Sequence, residues 1–73
     1  MEIEIRLFAT LRAGRGKKVK LEMAEPTPEK LLNELEIPRD DIAILLVNGR
    51  DAEFDQKLKP GDYLAVFPPV GGG

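Results

Sequence analysis

The sequence predicts an α+β domain: a mixed sheet of four or five strands with one helix packed on one face. Three observations predict it. Segments of strict period-two alternation lie near both ends of the chain, a single helix signal stands between them, and an Asn-Gly pair marks a tight hairpin. With 73 residues the chain is one domain. A domain of this size buries only roughly 60% of its unfolded surface, enough for one thin core and too little for a deep catalytic cavity.

Residues Glu2 to Leu7 alternate, with Ile3, Ile5 and Leu7 on one face and Glu2, Glu4 and Arg6 on the other, which Phe8 continues. Period two marks a half-buried strand. Val19, Leu21 and Met23 repeat the pattern between Lys18, Lys20 and Glu22. The intervening Arg12–Lys18 segment holds Gly14 and Gly16 and reads as a hairpin loop. Thr27 is a good N-cap, and Pro28 suits the first helical position, whose N–H lacks a partner in any case. Glu29 favours the positive end of the helix dipole; Leu31, Leu32 and Leu35 form the apolar stripe; Pro38 ends the helix.

Ile42 to Val47 is a dense apolar run, too short for a helix, and fits a strand. Asn48-Gly49 follows as a turn, with Ala52 to Phe54 expected as a short return strand. Lys59-Pro60-Gly61-Asp62 forms the next turn, and Tyr63 to Phe67 alternates again with Leu64 and Val66 on one side. The last strand can lie parallel beside the first through a right-handed crossover. That arrangement is a β-grasp over residues 1–68, followed by a flexible C-terminal glycine tail at 69–73.

The composition narrows the function. The 11 basic and 13 acidic residues give a formal charge of −2, which does not fit a nucleic-acid partner. No apolar run has membrane length and no signal-peptide pattern is present, so no membrane partner and a cytoplasmic location are expected. Cysteine and histidine are both absent, which excludes thiolate chemistry and removes the commonest general base and metal ligand. No metal site and no bound cofactor are expected, nor an enzyme acting alone.

Three constellations remain. Gly71, Gly72 and Gly73 can thread a channel too narrow for any Cβ and present an unhindered terminal carboxylate. Pro68-Pro69 favours extended polyproline geometry that holds this tail off the body. From Pro68 to Gly73 the chain reaches up to ~20 Å, at roughly 3.3–3.6 Å per residue. Second, parallel first and last strands bring Phe8 and Phe67 together on the face the helix leaves uncovered, as an exposed apolar patch at the root of the tail. Third, Arg12, Arg15, Lys17, Lys18 and Lys20 form a basic cluster, either a solvated hairpin or a docking site for an acidic partner. Asp51, Glu53 and Asp55 have the spacing of charges that guard a short edge strand.

Leu7-Phe8-Ala9-Thr10-Leu11-Arg12 resembles the first-strand signature of the molybdopterin synthase small subunit. Leu45-Leu46-Val47-Asn48-Gly49 resembles its second hairpin, and Leu58-Lys59-Pro60-Gly61-Asp62 its turn before the last strand. Val66-Phe67-Pro68-Pro69-Val70 running into Gly72-Gly73 resembles its C-terminus and is the most specific part. The similarity covers essentially the whole chain and places it with the ubiquitin-like sulfur carriers.

The resemblance implies a mechanism in which the chain is a carrier subunit. An adenylating enzyme of the ubiquitin-activating type uses ATP to join the Gly73 carboxylate to AMP. A persulfide sulfur from a donor protein displaces AMP, and the thiocarboxylate at Gly73 gives its sulfur to a pterin precursor in complex with the large synthase subunit. Gly72 and Gly73 match the family's functional pair. Phe8, Phe67 and Arg12 match its partner-facing positions, and Pro68, Pro69, Val70 and Gly71 lie on the segment that enters the partner. Gly71 departs from the pattern, because the family usually carries a side chain there. The alternatives are a ubiquitin-like protein modifier, a carrier for tRNA thiolation or thiamine synthesis, and a plain β-grasp binding module.

Overall fold

The computed structural model describes residues 1–69, so the expectations that fall on Val70, Gly71, Gly72 and Gly73 lie outside the described residues. The strands are β1 (Glu2–Leu7), β2 (Lys18–Glu22), β3 (Ile44–Val47), β4 (Arg50–Asp51) and β5 (Tyr63–Phe67), with one helix, α1 (Pro28–Glu34). They form one sheet in the order β2-β1-β5-β3-β4. β1 pairs antiparallel with β2 and parallel with β5, while β3 pairs antiparallel with both β5 and β4. This is the expected β-grasp.

Register decides which residues are inside. Ile5 lies opposite Val19 on one side and Leu64 on the other, and Leu7 opposite Val66. Ile3, Ile5, Leu7, Leu64 and Val66 are fully buried against Leu31 and Leu32 of α1, with Ile37, Leu45, Val47 and Leu58 completing the core. Val19, Leu21 and Met23 pack at its edge. β1, β2, β3 and β5 each contribute every second residue, as the alternation requires.

The helix begins as its sequence dictates. The Thr27 hydroxyl accepts from the Lys30 N–H at 3.2 Å, with Pro28 behind it in the first turn. It ends in a less common way. Glu36 has φ +59°, the Glu36 N–H donates to the Asn33 carbonyl at 3.0 Å, and the Ile37 N–H donates to the Leu32 carbonyl at 2.9 Å. That is a Schellman closure with glutamate in the left-handed position glycine usually takes, and with Ile37 buried as its apolar clasp. Arg15 reinforces it from the far side of the sequence. Its Nε and Nη2 donate to the Leu35 and Glu36 carbonyls, and its Nη1 donates to the Leu11 carbonyl.

The Asn48-Gly49 turn forms as expected, with φ +53° and +83°, the pair of positive values a two-residue hairpin needs. Asn48 and Asp62 then tie two turns together. The Asn48 amide donates to Asp62 at 2.8 Å, the Tyr63 N–H donates to the Asn48 side-chain oxygen at 3.0 Å, and the Lys59 N–H donates to Asp62 at 2.8 Å. The Lys59 backbone hydrogen bond, followed by the Asn48 amide, holds the Asp62 carboxyl below its ordinary value.

One local expectation is corrected. The return strand is β4, Arg50–Asp51, and Ala52–Phe54 is not a strand. A two-residue turn lets pairing resume at once. The Ala52 N–H still donates to the Leu45 carbonyl at 3.1 Å, and the chain then leaves the edge, because Ala52 and Phe54 pack on the core and the Phe54 carbonyl takes the Glu29 N–H at 2.9 Å. Of the trio Asp51, Glu53 and Asp55, only Asp51 therefore sits on the edge strand. The Arg12–Lys18 loop forms as expected, with Gly14 and Gly16 at positive φ, and an element for which the sequence gives no signal precedes it. Ala9–Arg12 forms a 3-10 turn that drives Leu11 into the core.

The strained end of α1 gives a direct test. Glu36→Gly removes the Cβ penalty of a left-handed residue, about 1 kcal/mol. The melting temperature should then rise by several degrees in a circular-dichroism melt, and an unchanged or lower value would show that the Glu36 conformation is unstrained.

Candidate functional site

The sheet face away from α1 carries Glu4 and Arg6 from β1, Tyr63, Ala65 and Phe67 from β5, and Ile44 and Leu46 from β3. Cross-strand partners share a face, and the register pairs Glu4 with Tyr63, Arg6 with Ala65, Leu46 with Ala65 and Ile44 with Phe67. Phe8, one residue beyond β1, completes the row. Its ring stacks on Phe67 with centroids 4.2 Å apart and planes 9° from parallel. The structure thus brings together the two phenylalanines that alternation placed on this face.

The turn after Phe8 fixes the pair. Phe8 is extended, whereas Ala9 has φ +53°. A left-handed alanine costs roughly 1–2 kcal/mol, and a small residue keeps that cost low. The reversal lets the Leu11 N–H donate to the Phe8 carbonyl at 3.2 Å and lets Arg12 reach back, its Nε donating to the Leu7 carbonyl at 2.9 Å. The Arg12 guanidinium carbon stands 5.4 Å from the Phe8 ring centroid. Arg12 is therefore a cationic border to the aromatic pair.

β5 stops at Phe67 because Pro68 and Pro69 have no N–H to extend a ladder. The Phe67 carbonyl still accepts the Ala43 N–H at 2.8 Å, so the chain is anchored up to the prolines. Pro68, Pro69, Ile44, Phe67 and the Phe8–Thr10 turn line a mainly apolar groove of about 460 Å³. The same prolines, with Thr10, Leu11, Arg15 and Asp41, line a second hollow of about 370 Å³. The outgoing segment thus starts between the two.

Ile44 is the member that reading the sequence missed. It is 49% exposed beside the stacked rings. The signal was present, because a run apolar on both faces cannot be satisfied by a single helix on one of them. The basic cluster divides. Arg15 is spent on three backbone carbonyls, Arg12 borders the patch, Lys18 and Lys20 share the uncovered face with Arg6 and Glu4, and Lys17 is exposed. The hydrogen bond from Arg6 holds the Glu4 carboxyl below its ordinary value against opposing desolvation, with Arg6, Lys18 and Lys20 adding attraction. Among the described residues, no group of three or more Asp, Glu, His or Cys converges as metal ligands would. No described helix is long and apolar enough to cross a membrane.

The family model described as the ThiS family matches residues 5–73. Two Haloferax volcanii structures, of SAMP1 and of small archaeal modifier protein 1, are both 28% identical to this chain. The first covers 100% of each chain with a TM-score of 0.82, and the second 94% of this chain and 98% of the other with 0.78. A Pyrococcus furiosus protein described as molybdopterin converting factor, subunit 1, is 26% identical over 96% of this chain and 99% of its own, with a TM-score of 0.79. A Helicobacter pylori complex of subunits 1 and 2 of molybdopterin-converting factor matches over 100% of both chains at 21% identity with a TM-score of 0.63, which bears on the fold alone. No curated protein matches the sequence.

The stacked pair should be energetically coupled. In a double-mutant cycle of Phe8→Ala and Phe67→Ala followed by urea denaturation, the interaction should amount to about 0.5–1.5 kcal/mol. Additive losses would mean that the rings share a surface without stabilising one another.

Proposed function

Because the chain belongs to the ThiS family of ubiquitin-like sulfur carriers, we propose that its working group is the carboxylate of Gly73 and that it serves as the small subunit of a molybdopterin synthase. One observation supports this best: the exposed apolar groove of Phe8, Ile44 and Phe67 coincides with the point where the Pro68-Pro69 segment leaves the sheet. A partner that grips the groove receives whatever follows the prolines in its own active site. The domain supplies recognition and reach, and the partners supply the chemistry.

In the proposed cycle a Gly73 carboxylate oxygen attacks the α-phosphorus of ATP on an adenylating enzyme, and pyrophosphate leaves. The terminal sulfur of a donor persulfide attacks the resulting acyl adenylate and AMP leaves. A thiol then cleaves the sulfur–sulfur bond, becoming part of a disulfide and freeing the thiocarboxylate. Tail residues Gly71 and Gly72 offer no side chain to the narrow channel this requires. Residues 1–68 act as the docking body and 69–73 as the tail. The absence of cysteine from the chain means that no internal thiol attacks the activated carbonyl. The Pyrococcus match, described as subunit 1 of a molybdopterin converting factor, supports the molybdopterin assignment and a further subunit as partner. The small archaeal modifier protein supports a second reading, in which a lysine amine attacks the same acyl adenylate and forms an isopeptide.

Incubation with the adenylating enzyme, ATP and a sulfur source should raise the intact mass by the difference between one sulfur and one oxygen. Deleting Gly73 should abolish the gain. No gain, with the enzyme shown active on another carrier, would remove the carrier assignment. Isopeptide-linked products in an extract would select the modifier reading.

A further inference from the structure

The two edges of the sheet are unlike. β4 has two residues, and the chain after it turns in to pack on the core, so that edge offers little to a further strand. β2 has five residues and, among the described residues, pairs only with β1. Its ladder decides which backbone groups are left over. The Leu7 N–H donates to the Lys17 carbonyl at 2.9 Å, and the Met23 N–H donates to the Met1 carbonyl at 3.0 Å. With the register between them, these bonds make Ile3–Leu21 and Ile5–Val19 the hydrogen-bonded pairs. Lys18, Lys20 and Glu22 therefore turn their N–H and C=O groups away from β1, to the open edge. Their side chains are exposed, whereas Val19 and Leu21 are half-buried at the rim of the core.

Charges on an edge strand ordinarily oppose pairing. Here the sign changes along the strand, so most registers are opposed and one is permitted. Two copies related by a closed two-fold must meet antiparallel at this edge. Lys18, Lys20 and Glu22 must then face one another, because these carry the free backbone groups. A two-fold at Val19 sets Lys18 opposite Lys20. A two-fold at Lys20 or at Glu22 sets that residue opposite its own copy. A two-fold at Leu21 sets Lys20 opposite Glu22 twice, Leu21 opposite Leu21, and Val19 opposite Met23.

We propose that the β2 edge is an interface between two copies of this chain, which join β2 to β2 about a two-fold at Leu21 and so merge their sheets into one. Each Lys20–Glu22 pair exchanges both of its backbone N–H···O bonds across the joint. Its opposite charges add to them. Glu22 is available for this: it is 75% exposed, and it meets the Met1 ammonium at 3.3 Å through one oxygen, leaving the other for a lysine. The nearby charges of β1 are matched within the chain, because Arg6 donates to Glu4 at 2.6 Å and lies over the Tyr63 ring at 3.9 Å. A second copy is favoured over an unrelated acidic strand because the edge carries both signs in the order its own antiparallel copy needs. A wholly acidic strand would set a carboxylate against Glu22. The joint also lies away from the aromatic groove. Leu21 is beside Ile3, and Phe8 is five residues farther along the chain, roughly 17 Å at about 3.4 Å per residue. So short a contact belongs to the weakly associating class.

The test is sedimentation velocity of the full chain at low salt, from about 10 μM to about 1 mM, the range in which weak complexes form. The sedimentation coefficient should rise with concentration, and the nitrogen-15 amide shifts of Lys20 and Glu22 should move over the same range. Lys20→Glu and Glu22→Lys each set like charges opposite one another twice and should weaken self-association about tenfold or more. The double variant Lys20→Glu/Glu22→Lys restores opposite pairs and should return to within about threefold of the parent. Where a charge variant fails to fold, the amide shifts of the parent decide alone: movement confined to β2 supports the joint, and movement centred on Phe8, Ile44 and Phe67 overturns it. A chain that stays monomeric across the range overturns the proposal, as does a double variant no better than either single one. Association that survives both single changes and is lost in Phe67→Asp overturns it too, because the copies then meet at the aromatic groove.

Discussion

The parallel pairing of β1 with β5 is the constraint on which the rest depends. It joins the first and last strands, almost the full length of the chain apart, and sets Leu7 against Val66. Closing so long a loop costs entropy that grows only slowly with length. The return is burial of Ile5, Leu7, Leu64 and Val66 at the centre of the core. The same register puts Phe8 over Phe67, because the residue beyond each buried one must face the other way. A slip by one residue would send Phe67 into the core and Val66 to the surface. Core and candidate site are therefore one decision, and selection for the fold also fixes the site.

The two faces divide the work. The helix-covered face is apolar from β2 through β3, and among the described residues no polar or charged side chain is buried. Nothing polar is needed to hold the interior, so polar groups are free for the surface. The uncovered face is graded, with stacked rings and Ile44 at the end where the chain leaves the sheet, and Arg6, Lys18, Lys20 and Glu4 farther back. A thin domain cannot enclose a substrate. It can offer a shaped and charged surface beside the Pro68-Pro69 segment, which is what the proposed function asks of it.

What was legible followed from period and from special residues. Alternation gave β1, β2 and β5 and the facing of Phe8 and Phe67; Thr27-Pro28 gave the start of α1; Asn48-Gly49 gave the hairpin. What was not legible depends on neighbours distant in sequence or on residues without a turn signature. Alanine carries no mark of the left-handed conformation Ala9 adopts, and glutamate none for Glu36. Arg15 reads as one cation among five until the end of α1 is seen beneath it. The Arg6–Tyr63 stack needs β1 beside β5 before either residue stands out. The extent of the return strand was not legible because it is set by Ala52 and Phe54 packing on the core, with Phe54 covered by the Arg39 guanidinium at 4.3 Å.

β3 carries the argument furthest. Leu45 and Val47 point to the core, while Ile44 and Leu46 point to the uncovered face, so the strand is apolar on both sides. Unbroken apolar runs are characteristic of strands covered on both faces. In this chain one face has α1 and the other has only the short Phe8–Phe67 stack, which leaves Ile44 half in solvent. An exposed isoleucine beside two aromatic rings offers the folded monomer no stabilising contact with water and adds a liability for association. On the proposed function, a strand of this kind in a domain otherwise edged with Lys, Glu and Asp belongs to two cores: one made on folding, and a second completed when a partner closes over the Phe8–Phe67 groove.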